Sequence, residues 1–190
     1  MSHPQTQQTK SEAKGVTLVL GGVRSGKSRY AQQLGERANR VVFIATAEAR
    51  ADREMQTKIE RHRSDRPDHW TTVEEPIELG CAIRSAPLGT ELILIDCLTL
   101  FAANILERFG EQTTADHTEV KALCESLSSA PCPIVLVSNE VGSGVVPAYA
   151  LGRRFRDLTG EINQRIAAQA DYVFFMIAGL PLILKGAPPQ

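Results

Sequence analysis

The stretch "VTLVLGGVRSGKSRYAQQLGERANR", residues 16–40, joins a β-branched apolar run to a glycine-bearing turn and then to a pattern with helical spacing. Inside it, Gly21, the residues Gly22, Val23, Arg24 and Ser25, and then Gly26-Lys27-Ser28 satisfy G-x-x-x-x-G-K-[ST] in full. The chemistry explains the spacing. Glycines let the backbone curl so that its N–H groups and a helix N-terminus face an anion, a lysine reaches the outer phosphates, and a hydroxyl is offered to Mg²⁺. A glycine-rich turn can carry the pattern by accident, but here it lies after a buried strand and before a helix, where the mechanism requires it.

Working outward, short apolar runs at 16–20, 41–47, 91–97, 133–139 and 171–179 alternate with helical patterns near 27–38, 52–63, 76–86, 98–109, 116–129 and 148–169. Several runs are apolar at nearly every position, as strands covered on both faces must be. The alternation predicts an α/β fold: one mostly parallel sheet flanked by helices. In the last helical pattern, Leu151, Phe155, Leu158, Ile162 and Ile166 form an apolar stripe, interrupted by Gly160 as either a close contact or a break. Residues 1–15, polar and aperiodic, read as a disordered leader, and 16–190 as one catalytic domain.

Composition narrows the partners. A net charge of −1 gives no electrostatic footprint for nucleic acid, and 5% aromatics leave few platforms for stacking bases. No apolar run approaches a membrane span, and no signal-peptide core is visible. Cys81, Cys97, Cys124 and Cys132 lack metal-ligand spacing and read as reduced thiols, so a cytoplasmic location is expected.

"LILID" places Asp96 at the C-terminal tip of a buried strand, on the edge where open α/β sheets hold ligands. Asp96 and Ser28 are the candidate Mg²⁺ ligands; Asp96 can also cap the helix that follows, and the two roles are compatible. The loop "SNEVGSGVVP" falls on the same edge. Asn139 and Glu140 there either orient substrate or water, or simply form a turn. Arg153, Arg154, Arg156 and Asp157 meet phosphate or a neighbouring subunit, or else form a solvated face.

Between the second and third apolar runs lies "TAEARADREMQTKIERHRSDRPDHWTTVEEP", residues 46–76, rich in charge. Met55, Ile59 and His62 follow helical spacing, which sets His62 at the buried edge of that pattern. Arg61, Arg63 and Arg66 around it disfavour the imidazolium and leave a neutral, nucleophilic ring. Packing or capping is the alternative for His62, and a solvated basic face the alternative for the arginines. Pro67 ends the helical pattern and Trp70 anchors the turn after it.

Taken together, "GGVRSGKSRYA", "FIATAEA", "LILIDCLTL", "VLVSNEVGSGVVP" and "LGRRFRDLTGEINQRIA" closely resemble the bifunctional adenosylcobinamide kinase / adenosylcobinamide-phosphate guanylyltransferase family of cobalamin biosynthesis, in order from about residue 17 to residue 185. The resemblance implies a RecA-like P-loop domain that phosphorylates adenosylcobinamide with ATP or GTP. It then transfers GMP from GTP to the phosphate through a GMP-histidine, and motif matching assigns that histidine to His62, with His69 the nearby competitor. GTP contacts carry over onto Gly21, Gly22, Val23, Arg24, Ser25, Gly26, Lys27 and Ser28, onto Ala45, Thr46 and Ala47, onto Arg63, Ser64, Asp65 and Arg66, and onto Glu74 and Asp96. Glu74 or Asp65 is expected to read guanine. Mg²⁺ is the implied metal, and a homo-oligomer, specifically a trimer, the implied assembly. The rival readings are a P-loop kinase for a small metabolite without nucleotidyl transfer, and a nucleotide-binding switch module.

Overall fold

The computed structural model describes residues 15–48 and 67–186. The expected helix at 52–63, with His62, Arg63, Ser64, Asp65 and Arg66, lies outside the described residues.

Seven strands form one sheet: β1 (Val16–Gly21), β2 (Val41–Ala45), β3 (Thr71–Glu74), β4 (Leu92–Asp96), β5 (Ile134–Val137), β6 (Tyr172–Ile177) and β7 (Leu180–Lys185). Their order is β3-β2-β4-β5-β1-β6-β7. All neighbours are parallel except β6 and β7, which form an antiparallel hairpin. The described helices are α1 (Lys27–Gly35), α2 (Leu79–Arg84), α3 (Leu98–Phe109), α4 (Thr118–Ser128) and α5 (Ala150–Gln169).

Alternation along each strand sorts the core into two layers. Leu18, Leu20, Val42, Ile44, Ile93, Ile95, Ile134 and Leu136 face α2, α3, α4 and α5. Val19, Val41, Phe43, Ala45, Leu92, Leu94, Val135 and Val137 face α1 and Trp70. Every residue of β1 and β2 is buried, the signature of parallel strands covered on both sides. Trp70 does anchor its turn: its N–H donates to the Pro67 carbonyl at 3.0 Å, its ring stacks on Phe43 at 6.4 Å, and it closes against Gly35, where a Cβ would lie 2.7 Å from the indole.

Three features depart from the reading of the sequence. First, β3 and β7 are additional strands. β3 is short and half exposed, without the apolar run of a buried strand, whereas β7 (LPLILK) continues the apolar run of β6 but is exposed along its whole length. Second, Leu151 is 45% exposed, because the stripe on α5 meets the core only from Phe155 onward. Third, Gly160 neither breaks α5 nor makes a close contact; a Cβ there would meet nothing within 4 Å. Arg153 and Arg154 are occupied by backbone: Arg153 donates to the carbonyls of Pro147 and Ala148, and Arg154 to those of Glu111 and Thr113.

Candidate active site

Because β1 to β5 run parallel, their C-terminal tips share one edge of the sheet, where α/β folds bind ligands. Register aligns Ala45 with both Glu74 and Asp96, and Asp96 with Val137. Gly21, Ala45, Glu74 and Asp96 continue the rows that face α1, so the P-loop and the acidic residues lie on the same side. β5 separates β1 from β4, which puts Asp96 roughly 10 Å from the P-loop strand, about two strand spacings. A polyphosphate chain with a metal ion spans such a gap.

The loop itself is held in a conformation that needs its glycines. Gly21 has φ +150°, and a Cβ on it would sit 2.6 Å from the Met176 carbonyl oxygen and 2.7 Å from Ser25 Oγ. Gly26 has φ +98°, and a Cβ on it would sit 3.1 Å from the Gly179 Cα. The β6–β7 turn thus supports the loop from behind. Gly179 N–H donates to the Ser25 carbonyl at 2.9 Å, and Ala178 and Gly179 both have positive φ, as a tight two-residue hairpin turn requires. α1 begins at Lys27, so the first N–H groups of the helix point out toward the loop.

Lys27 is 8% exposed, and its Nζ donates to the Gly22 carbonyl at 2.6 Å, which holds the ammonium over the cradle. Burial lowers its pKa, opposed by the nearby Cys97 and Asp96. Ser28 lies in the first turn of α1 and Asp96 is half-buried at the tip of β4. Among the described residues no group of three or more His, Cys, Asp or Glu side chains could cage a metal. Two protein oxygens beside a phosphate cradle are a donor set that fits Mg²⁺, which keeps water and takes the rest of its shell from substrate phosphate.

Polar struts hold the edge together. The Thr46 hydroxyl donates to the Cys97 carbonyl at 2.8 Å and accepts from the Cys97 N–H at 2.7 Å, while the Thr46 N–H donates to the Asp96 carbonyl at 3.2 Å. Asn104 on α3 donates to the carbonyls of Thr46 and Pro76. Thr46 is therefore a brace between β2 and β4, and of the three residues 45–47 it is Ala47 that reaches the surface. The N-cap of α3 is Cys97, which forms no side-chain cap bond. The sequence reading missed Asn104, since an asparagine inside an apolar helix shows its role only through contacts far along the chain.

Of the two acidic residues ending β3, Glu75 is occupied: its Oε1 accepts from the N–H groups of Ile77 and Glu78. Glu74 is exposed on the phosphate side. His69 precedes β3, at the end of that strand opposite Glu74, and so stands away from the phosphate edge.

Burial, reinforced by Asp96, pushes the Cys97 thiol up to about 11. It is protonated at neutral pH and a poor nucleophile. All four cysteines are free, and Cys81 is exposed while Cys132 is buried. Alkylation of the native protein near neutral pH, followed by peptide mapping, is expected to label exposed Cys81 first, half-buried Cys97 only slowly because its thiol stays protonated, and buried Cys132 only on unfolding.

Fold and site define a P-loop nucleotide-binding domain of the RecA-like class. The architecture is shared with the secretion ATPase EscN, solved in complex with its central stalk EscO from enteropathogenic E. coli, at a TM-score of 0.53 and 12% identity over 93% of this chain and 47% of that one. The chain belongs to the cobinamide kinase / cobinamide phosphate guanyltransferase family, whose model matches residues 17–184. It is 46% identical to the bifunctional adenosylcobalamin biosynthesis protein CobP of Pseudomonas aeruginosa, over 90% of this chain and 98% of that protein. It is 37% identical to the bifunctional adenosylcobalamin biosynthesis protein CobU of Escherichia coli, over 88% and 98% respectively.

Proposed function

We propose that this protein phosphorylates adenosylcobinamide with ATP or GTP and then transfers GMP from GTP to the phosphate, giving adenosylcobinamide-GDP and pyrophosphate. The observation that carries the reading is the single phosphate edge, with Lys27 over a complete P-loop and Asp96 facing the same side, in a chain of the family named for both reactions. In the kinase step the cradle holds the triphosphate while the substrate hydroxyl oxygen bonds to the γ-phosphorus and the nucleoside diphosphate leaves; positioning supplies most of the rate. In the transfer step, neutral His62 forms a P–N bond to the α-phosphorus of GTP as the α–β P–O bond breaks. Lys27 and the loop N–H groups receive the charge that develops on pyrophosphate. An oxygen of adenosylcobinamide phosphate then displaces the imidazole and restores it.

Ser28 and Asp96 would hold Mg²⁺, which supplies charge neutralisation at the outer phosphate oxygens. Around the nucleotide, the reading places the P-loop residues and Ala45 to Ala47, with Arg63, Ser64, Asp65 and Arg66 after the nucleophile. Glu74 or Asp65 accepts from guanine N1–H and the 2-amino group; Glu74 is exposed at the end of β3 and its side chain makes no hydrogen bond among the described residues, in keeping with that role. Replacing Glu74 with glutamine removes one acceptor; it is expected to weaken GTP by about tenfold or more while ATP changes little, measured as KM in the separate half-reactions.

A homo-oligomer, specifically a trimer, accompanies the reading; exposed Leu180, Leu182 and Leu184 on edge strand β7 are apolar surface in keeping with a subunit contact. A cytoplasmic site of action is in keeping with four free thiols. Among the described residues no helix is long and apolar enough to cross a membrane.

The test is product analysis. Full-length protein, Mg²⁺, GTP and adenosylcobinamide are expected to yield adenosylcobinamide phosphate first, then adenosylcobinamide-GDP with stoichiometric pyrophosphate. Phosphate alone would indicate a kinase without transfer, and neither product a binding module.

A further inference from the structure

We propose that the exposed apolar residues Val145, Val146, Tyr149 and Leu151, on a wall that stands over the phosphate edge, form the binding platform for the corrin macrocycle of adenosylcobinamide. The inference rests on the proposed function for the identity of the substrate, and goes beyond it by giving that substrate a site.

The wall follows from where α5 meets the sheet. Asn163 of α5 donates its Nδ2 to the Asn139 carbonyl at 3.0 Å, level with the phosphate edge, since the next N–H, that of Glu140, donates to the Gly21 carbonyl. At its other end α5 leads through Ala170 to Asp171, whose N–H donates to the Val16 carbonyl at the opposite edge. The end of α5 after Asn163 therefore covers the sheet, and the turns from Ala150 to Ile162 extend past the phosphate edge. Between Asn163 and Leu151, at about 1.5 Å per residue, the helix reaches up to about 18 Å. α3 stands beside it: Thr99, near its start, accepts the Asn139 N–H at 2.7 Å, and Arg154 of α5 donates to the Glu111 and Thr113 carbonyls just past its end. The extension is thus an antiparallel helix pair, braced along its length.

The apolar stripe of α5 decides which way this wall faces. Leu158, Ile162 and Ile166 are buried in the layer against the sheet, and Leu151 continues the same face of the helix beyond it. Below the edge that face covers strands; above it, the same face overlooks the space beside the cradle. Leu151 is left 45% exposed there, and the chain leading into α5 adds Val145, Val146 and Tyr149, each more than half exposed. These side chains are held in place. Arg153 donates to the carbonyls of Pro147 and Ala148, and the bare Cα of Gly152 lets Pro147 and the Tyr149 ring lie against the helix; a Cβ there would sit 2.7 Å and 2.8 Å from them. Apolar groups gathered on one short stretch beside a ligand edge mark a binding surface, and a preorganised one costs little further ordering when it is used.

The corrin ring is the occupant whose chemistry fits. It is broad and apolar, with amides at its rim, and it carries the reacting hydroxyl at the end of a flexible arm. With the ring against the wall, the arm reaches down to the cradle. Both proposed reactions carry the same ring, so one wall serves the hydroxyl of the first and the phosphate of the second.

Equilibrium dialysis of adenosylcobinamide against the full chain, read by the visible absorbance of the corrinoid, is the measurement, with GTP binding beside it. Tyr149→Ala is expected to weaken adenosylcobinamide by about tenfold or more and Leu151→Ser by about fivefold, while GTP affinity stays near wild type. Tyr149→Phe, which keeps the ring, should bind as wild type does. The proposal is overturned if wild type does not bind adenosylcobinamide, if Tyr149→Ala and Leu151→Ser bind it like wild type, or if they weaken GTP by the same factor. Sedimentation of the same variants covers the rival occupant, a second copy of this chain: affinity lost only together with dissociation into smaller species would make the patch a subunit contact and also overturn the proposal. The assay involves no turnover. The predicted losses would stand even if neither product forms, and product formation with unchanged binding in the variants would overturn this inference alone.

Discussion

Replacing Lys27 with alanine is expected to reduce both the kinase and the guanylyl-transfer reaction by about two to three orders of magnitude in kcat/KM, the scale of losing a charge aimed at a developing oxyanion. On the proposed reading one lysine serves two reactions because each needs the outer phosphates gripped, whichever phosphorus is attacked. Lys27 is almost fully buried, and its ammonium is held over the loop by the Gly22 carbonyl. The variant is expected to stay folded. A buried ammonium with a lowered pKa is a liability to the native state: between its folded and unfolded pKa values the unfolded chain binds more protons, and stability rises with pH. Alanine removes that alkaline gain along with the charge. The same shift sets a pH dependence for binding. Phosphate favours the charged lysine, so wild-type GTP affinity should fall across the alkaline range, beginning below the ordinary lysine pKa of about 10.4. Titration of GTP affinity against pH in wild type and Lys27→Ala checks the binding statement, and a flat alkaline profile in wild type contradicts it; denaturant unfolding against pH checks the stability statement.

The second large effect separates the two reactions. His62→Ala is expected to lose guanylyl transfer by on the order of 10⁴-fold or more, the scale of removing a covalent nucleophile, while phosphorylation of adenosylcobinamide continues near the wild-type rate. On the proposed reading the kinase step uses the cradle, Lys27 and Asp96, and the imidazole acts only in the transfer. Separate assays with adenosylcobinamide and with adenosylcobinamide phosphate show the split. Loss of both activities in a folded variant would mean that His62 supports the kinase site as well, and the proposed division of labour would fail.

The sequence was most legible where local chemistry dictates local structure. The P-loop and its flanking elements were readable because curled backbone, lysine and hydroxyl must occur together at fixed spacing. α3 was readable to its ends because its apolar pattern stops at Gly110, whose φ of +90° closes the helix with an N–H bond to the Leu106 carbonyl at 2.9 Å. β3 was not readable, since Thr71–Glu74 is four residues long and faces solvent at both ends. β7 was hidden by the tightness of the Ala178-Gly179 turn, which made one apolar stretch of what are two strands. The braces of the site left no local trace. Asn104 reaches Thr46 across 58 positions and Thr99 reaches Asn139 across 40, and no periodicity connects residues so far apart. The proposed nucleophile belongs to a third kind: composition around His62 suggested a neutral ring, but the assignment came from resemblance of motifs.

The central claim is that one phosphate edge serves attack at two different phosphorus atoms, and His62 decides the second. Incubating the full-length protein with Mg²⁺ and GTP labelled at the α-phosphate, without any cobinamide, tests it most directly. The account predicts acid-labile, base-stable label on the protein, absent from His62→Ala and discharged by adenosylcobinamide phosphate. No label on wild type, or label that survives the His62→Ala substitution, would contradict it.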